Sequence, residues 1–270
     1  MKNINSNHVE KTLSVDDVHL EWEGDYRTPE NEIFYEHVFD KIADILGTNN
    51  HSFILDVGCG ICAHSIRLAK RNYNVVAIDF SKNILDSASA NISQYKLDNR
   101  IKVQQENILS MSFPDESFDY ILCWGVLMHI PDIQQAIAEL DRVLNRGGCI
   151  IISEVNKNSF QSIFLRTIKS LFRLEKAELL YTQAGIEYWE TKSSGKLVTR
   201  QSNIKWLKDR FTNNNYIVIR HIPGQFTEIY NRIKSPLLRK IIHLFNMIWF
   251  EFIKLPGPAF GNIIILKKAG

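Results

Sequence analysis

Apolar positions recur at Ile33, Phe34, Val38, Ile42, Ile45 and Leu46, a helical period that predicts a helix over residues 31–46. Gly47 and the polar Thr48-Asn49-Asn50 supply its stop. The pattern then changes. Short apolar runs over 53–57, 75–79, 101–104, 118–123 and 149–154 are rich in Val and Ile and bounded by turn residues. Each is too short to stand as a helix, which predicts buried parallel strands. Helical periods fall between them, over 61–71, 81–95 and 133–144, with Ser81 placed to cap the second and Gly147-Gly148 following the third. Strand and helix alternate, so the fold class is α/β, a doubly wound parallel sheet. Such sheets take ligands at the carboxyl ends of their strands.

Composition adds limits to this picture. The chain has 270 residues, 45% hydrophobic and 23% charged, the balance of a folded domain. Its formal charge of +2 supplies no global field to recruit nucleic acid. Residues 1–17 are polar and lack the apolar run of a secretory signal. Four cysteines, Cys59, Cys62, Cys123 and Cys149, lie in or beside apolar or glycine-rich segments, as reduced thiols of a cytoplasmic protein would. Cys59 and Cys62 form a C-x-x-C with no second pair at ligand spacing, so no metal site is expected.

The first predicted strand leads into Asp56-Val57-Gly58-Cys59-Gly60-Ile61-Cys62-Ala63. Glycines there allow a tight turn and close approach of a ligand to the backbone. The next strand ends in Asp79, about 20 residues on, where an acid can accept both hydroxyls of a ribose. Together these predict an adenosine-containing cofactor without choosing its kind.

The wider constellation resembles the class I S-adenosylmethionine-dependent methyltransferases. Five segments stand in that family's order: Ile54-Leu55-Asp56-Val57-Gly58-Cys59-Gly60, Val76-Ala77-Ile78-Asp79-Phe80-Ser81, Glu106-Asn107-Ile108, Ser117-Phe118-Asp119-Tyr120-Ile121-Leu122 and Arg142-Val143-Leu144-Asn145-Arg146-Gly147-Gly148. An acid two residues before the first glycine, here Asp56, is typical of the family's loop. The likeness is specific over 54–154 and loose beyond, through a closing strand at 262–266. It implies a seven-stranded, mostly parallel Rossmann-like sheet with S-adenosyl-L-methionine as cofactor.

The resemblance also implies roles. Asp56, Gly58 and Gly60 belong to the cofactor loop, the glycines beside its methionine part. Asp79 holds the ribose and Phe80 lies against the adenine. Asn107 stands where the family usually has Asp, and its amide oxygen can still accept from the adenine amino group. The Ile108 N–H serves a ring nitrogen, and Cys123 opens the segment where cofactor and acceptor contacts gather. Arg27, in Trp22-x-x-x-Tyr26-Arg27, is a candidate partner for the cofactor carboxylate. Cys62 replaces the loop's frequent third glycine and is strained if that position needs positive φ.

Methyl transfer needs a base only where the acceptor must lose a proton. His129 and Glu154 are the catalytic candidates, each with a packing role as its alternative. The segment after the fourth strand, Cys123-Trp124-Gly125-Val126-Leu127-Met128-His129-Ile130-Pro131, lacks the Asn/Asp-Pro-Pro-aromatic sequence of many amino-directed methyltransferases. The expected organisation is an amino-terminal helical cap (1–50), a cofactor-binding core (51–155), an inserted helical lid (156–200) and a remaining sheet (201–270) with an inserted helix at 222–260. Phe160, Phe164, Ile168, Leu171 and Phe172 form an apolar stripe opposite Arg166, Lys169 and Arg173, and 237–255 is largely apolar. We expect these pieces to pack as a lid over an apolar acceptor pocket lined by Gln225, Phe226 and Glu228. Peripheral membrane contact is the alternative. The expected acceptor is a hydroxyl or other group of an apolar small molecule or lipid-linked compound, with no nucleic acid partner. The competing readings are an NAD(P)-dependent oxidoreductase and a nonenzymatic S-adenosylmethionine-binding module.

Overall fold

The computed structural model describes Val9, Thr12 and residues 27–47, 52–173, 177–192 and 195–270. Trp22, Tyr26, Leu174 and most of the expected cap before residue 27 lie outside the described residues.

Helix α1 (Pro29–Leu46) starts where Thr28 accepts the Asn31 N–H at 3.3 Å and Pro29 presets the first turn. It ends at Gly47, whose positive φ of 76° closes the last turn through its N–H to the Ala43 carbonyl at 2.9 Å. Then follow β1 (Phe53–Val57), α2 (Ala63–Lys70), β2 (Asn74–Asp79), α3 (Lys82–Gln94), β3 (Ile101–Gln105), β4 (Phe118–Trp124), α4 (Ile133–Val143) and β5 (Leu144–Val155). Helix α2 begins two residues later than the periodicity predicts. Cys62 occupies the left-handed region at φ 63° and cannot be helical, so the anticipated strain is present. Ser81 sits at the N-cap of α3 without a side-chain cap; its N–H instead donates to Asp79.

After β5 come α5 (Phe160–Leu171), β6 (Glu178–Tyr181), β7 (Gly185–Lys192), β8 (Gly195–Ser202), α6 (Ile204–Thr212), β9 (Tyr216–Pro223), α7 (Pro236–Ile248) and β10 (Gly261–Lys268). The main sheet has seven strands in the order β3-β2-β1-β4-β5-β10-β9. β10 runs antiparallel between β5 and β9, and the pairs from β3 through β5 are parallel. This is the expected seven-stranded, mostly parallel, doubly wound architecture.

Its stability follows from burial on both faces. Leu55, Val57, Ile121, Ile150 and Ile152 join one apolar cluster with α4; Ile54, Leu122 and Ile151 join the other with α1 and α2. Alternate residues of one strand feed opposite layers. Each fully buried aliphatic side chain contributes roughly 1.5–3 kcal/mol.

The segment expected as a helical lid has a different make-up. Among its described residues only α5 is helical, and β6-β7-β8 form an antiparallel three-stranded sheet. Residues 186–191, Ile-Glu-Tyr-Trp-Glu-Thr, carry the aromatic and branched side chains that suit a pleated surface. This sheet is anchored to the segment after β4. The Arg200 guanidinium, fully buried, donates to Glu187 at 2.7 and 3.0 Å, to the Leu127 carbonyl at 2.7 Å and to the Ile130 carbonyl at 3.0 Å.

The apolar stripes also lie differently from the expectation. α5 buries Ser162, and α7 buries His243 and Asn246. Phe160, Phe164, Leu171, Leu237, Ile241 and Leu244 are exposed. Periodicity identifies a stripe without saying which side the protein covers, and here the inward faces are polar. No residue of α5 or α7 lines the main cavity, so neither helix forms its roof.

Arg200→Ala leaves Glu187 as a buried carboxylate without its cation, and should cost about 3–5 kcal/mol in urea unfolding. Replacing both Arg200 and Glu187 with Met removes the unpaired charge and should restore part of that loss, because the Leu127 and Ile130 carbonyls still lose their donors. A single variant within about 1 kcal/mol of wild type would show that the pair does not anchor the sheet.

Candidate functional site

A cavity of about 430 Å³ opens at the carboxyl ends of β1, β2, β4 and β5. Its first wall is the loop after β1. Gly58 and Gly60 adopt φ of 64° and 53°. A Cβ on Gly58 would meet Val126 Cγ2 at 2.6 Å, so only glycine fits; at Gly60 nothing lies within 4 Å of that position. The loop is tied to the neighbouring strand. The Cys59 N–H donates to the Ile78 carbonyl at 2.9 Å, and the Gly60 N–H donates to Asp79 Oδ2 at 3.2 Å. Asp79 Oδ1 accepts the Ser81 N–H at 3.0 Å. These two bonds orient the Asp79 carboxylate at the cavity wall.

The next wall comes from the turn after β3. The Glu106 N–H donates to the Asp79 carbonyl at 3.1 Å. Asn107 Oδ1 accepts the Leu109 N–H at 2.9 Å, which fixes its amide plane beside Ile108. Burial pushes the Glu106 carboxyl up, but the donors of Ser112 and Gln104 together hold it below the usual range.

The far end is built by the segment after β4 and by the inserted sheet. The His129 Nδ1 lies 2.9 Å from the Val198 carbonyl. A carbonyl can only accept, so Nδ1 carries a proton. Glu154, at the end of β5, is buried, and burial pushes its carboxyl up to about 7. Opposing that are the Ser202 hydroxyl, which donates to Oε2 at 3.1 Å, the nearby Arg200, and the Met128 and Leu127 N–H groups. Among the described residues Glu154 Oε1 has no hydrogen-bond partner, although the residue lines the cavity.

Of the predicted site residues, Arg27, Gly58, Gly60, Asp79, Phe80, Asn107, Ile108, His129 and Glu154 line this one cavity. Asp56 and Cys123 do not. Cys123 is fully buried in the core. Asp56 lies beneath the loop, where its Oδ2 accepts the Ser65 hydroxyl at 2.5 Å and so joins the loop to α2. Burial pushes Asp56 up to about 7, against the Ser65 bond. Of the residues expected in an acceptor pocket, Glu228 lines the cavity. Gln225 is buried between Asn31 and Tyr230 instead, and Phe226 faces a separate aromatic cluster.

The sequence reading missed Tyr35, His64, Arg67 and Trp124. Tyr35 and Trp124 each meet the His64 ring edge-on or tilted, at 5.1 and 4.9 Å. Arg67 donates to His64 Nδ1 at 3.3 Å and pairs with Glu32. Burial, reinforced by Arg67, holds the His64 imidazole neutral. Burial, with Glu228 nearby, raises the Tyr35 hydroxyl. Arg27 joins this group through Glu32 at 4.0 Å. One signal was available: His64 and Arg67 lie three residues apart in the first turns of the helix that leaves the glycine loop.

The fold is that of the Rossmann-like, class I methyltransferases. Residues 55–152 match the family model described as a methyltransferase domain, and the chain carries that domain over this stretch. It is 34% identical over 124 residues to a demethylmenaquinone methyltransferase from Listeria monocytogenes, covering 44% of this chain and 50% of the relative. A ubiquinone biosynthesis O-methyltransferase from Rickettsia typhi is 31% identical over 134 residues, 50% of this chain and 53% of the relative. The chain therefore spans about half the length of the curated relatives it matches. A solved SAM-dependent methyltransferase from Methanosarcina mazei shares the fold at a TM-score of 0.60 and 19% identity, over 85% of this chain and 97% of that one.

The raised pKa of Asp56 predicts an unusual pH dependence. Its unfolded form ionises near 3.8 and its folded form near 7, so the folded state binds the extra proton between those values. Stability from this site falls as pH rises across that window and levels off above it. Asp56→Asn should therefore gain on wild type between pH 5 and pH 8, by up to about 3 kcal/mol. Denaturation curves at both pH values test it. A difference that is flat or reversed in sign would place the Asp56 proton elsewhere.

Proposed function

We propose that this chain transfers a methyl group from S-adenosylmethionine to a hydroxyl of an apolar, quinone-like aromatic acceptor, either free or lipid-linked. The observation that carries this reading is the sharing of one cavity by two ends of different chemistry. One end is the Gly58, Gly60 and Asp79 loop set; the other is Glu154, with a buried oxygen that no described group satisfies. A buried oxygen of this kind is costly unless a ligand completes it.

The residues fit the cofactor. The cradle is open at Gly60 and sterically closed to any larger residue at Gly58. Asp79, fixed by two backbone N–H groups, would accept the ribose hydroxyls. Phe80, Asn107 and Ile108 would hold the adenine, and Arg27 would reach the carboxylate end. When bound, S-adenosylmethionine supplies an electrophilic methyl on a sulfonium. The chain's own work is alignment and proton handling.

Glu154 Oε1 is the proton acceptor in this reading. The Ser202 hydroxyl holds Oε2 and Arg200 lies nearby, and the carboxylate takes the proton as the acceptor oxygen becomes bonded to methyl. A carboxyl near 7 is well matched to that task at neutral pH. His129, held through Val198, orients the acceptor hydroxyl at the same end of the cavity. Tyr35, Trp124, Met128 and Ile130 give the cavity an apolar flank suited to an aromatic ring. The Listeria and Rickettsia relatives, named for menaquinone and ubiquinone chemistry, support an acceptor of that class.

Asp79→Ala should weaken S-adenosylmethionine binding about tenfold or more by calorimetry, a loss of at least ~1.4 kcal/mol. Asp79→Asn should be milder. Unchanged affinity in a folded Asp79→Ala variant would remove Asp79 from the site.

Turnover of a phenolic acceptor should rise as pH passes through about 7, where Glu154 loses its proton. Glu154→Gln keeps the Ser202 bond and should cut turnover ~10²-fold while removing that limb of the profile. Cofactor affinity should barely change. A Glu154→Gln enzyme with a normal rate and the same profile would return Glu154 to a packing role.

A further inference from the structure

The helices that fail to roof the cavity share one outer surface. Phe160 stacks on Phe164 and on Phe226, at 6.0 and 6.2 Å between ring centroids. Phe226 in turn meets Phe245 at 5.2 Å and Trp249 at 4.3 Å. This aromatic chain joins α5 to α7 and to the turn Trp249–Ile253. From it project Leu237, Leu244 and Phe252, the last 79% exposed. A helix stabilised by the interior would turn such residues inward. α7 instead turns in Asn246, which holds Thr227 through its N–H at 3.1 Å and its carbonyl at 2.9 Å. The polar side is therefore the structural one, and the apolar side is left for something outside.

Charge indicates what that is. No Asp or Glu occurs from 160 to 174 or from 229 to 250. Arg173, Arg232, Lys234, Lys240 and Lys254 in and beside these segments are all exposed. Glu251, next to the patch, is paired with His37 at 3.1 Å. Exposed apolar and aromatic residues with cations and no anions match the boundary of an anionic bilayer. A second copy of this chain would set cation against cation across a symmetric contact. Among the described residues no helix is long and apolar enough to cross a membrane, so the contact is one of lying on the surface.

We propose that α5, α7 and the turn after α7 dock on an anionic lipid bilayer. The patch connects to the cavity through two residues of chain: Phe226 belongs to the aromatic cluster and Glu228 lines the cavity. An apolar acceptor dissolved in the bilayer would then meet the protein beside the site. That last step rests on the methyltransferase reading; the docking itself does not.

The test is cosedimentation of the full chain with vesicles of phosphatidylcholine and phosphatidylglycerol, against phosphatidylcholine alone. Binding should require phosphatidylglycerol and weaken with salt. The triple variant Leu237→Ser, Leu244→Ser, Phe252→Ser should lose at least about tenfold in partitioning, as should Lys234→Gln, Lys240→Gln, Lys254→Gln. All six positions are exposed, and unchanged circular dichroism should confirm both folds. Wild-type chain that ignores anionic vesicles overturns the proposal. So does a dimer that the apolar triple variant dissociates without any vesicle binding, which assigns the patch to a second copy. Turnover of a water-soluble phenol should be unchanged in both variants. A wild-type chain that binds vesicles but never methylates the phenol overturns the enzyme reading and leaves the docking surface standing.

Discussion

The acceptor end of the cavity depends on how one strand is held. Along β8, at intervals of two residues, the Val198 carbonyl receives His129, the Arg200 guanidinium grips the Leu127 and Ile130 carbonyls, and the Ser202 hydroxyl reaches Glu154. All three positions are buried. The side chains of Arg200 and Ser202 share one face of β8 while the Val198 carbonyl projects in the plane of the sheet, so this one strand fixes both candidate proton-handling groups. Arg200 bears most of this, since its charge is compensated by Glu187 in a place where an unpaired carboxylate would be very costly. The parallel sheet alone would place Glu154 at a strand end. It would not decide which oxygen is held.

The two buried carboxyls show how partner count separates structure from chemistry. Asp56 and Glu154 are both pushed up to about 7, and in both the main cause is burial. Asp56 spends its oxygen on Ser65 under the glycine loop and does not line the cavity. Glu154 has a held oxygen and an unsatisfied one, and lies at the cavity wall. The same displacement of pKa thus accompanies a brace in one case and a candidate base in the other. Geometry makes the distinction.

The cofactor end was legible in the sequence because its determinants are local. Glycines at positive φ, an acid at a strand end and the following turn are each set within a few residues, and their spacing survives folding. The acceptor end was not legible for the opposite reason. Arg200 acts 70 or more residues from the carbonyls it holds, and Tyr35 reaches the cavity from a helix before the first strand. The helices show a third limit. A stripe of Phe160, Phe164 and Leu171 has the same period whether the protein or a lipid covers it, and only the placement of Ser162, His243 and Asn246 inside reveals the orientation.

Such an inversion has a consequence for how the domain stays intact without its outer partner. A helix whose apolar face is solvated gains little from that face and must be secured by other means. α7 is secured by the Ser235 cap at its start, the Asn246 bonds to Thr227 in its third turn, and Phe250 buried against Phe34 of α1 at 5.3 Å. α5 is secured by the Ser159 cap and by Ser162, whose hydroxyl donates to the Asn156 carbonyl at 2.8 Å. These are directional polar bonds and single aromatic contacts rather than broad packing. They hold the helices in register while leaving their apolar faces uncovered. An apolar face left uncovered cannot also be the source of a helix's stability, and the polar inner faces of α5 and α7 supply that stability instead.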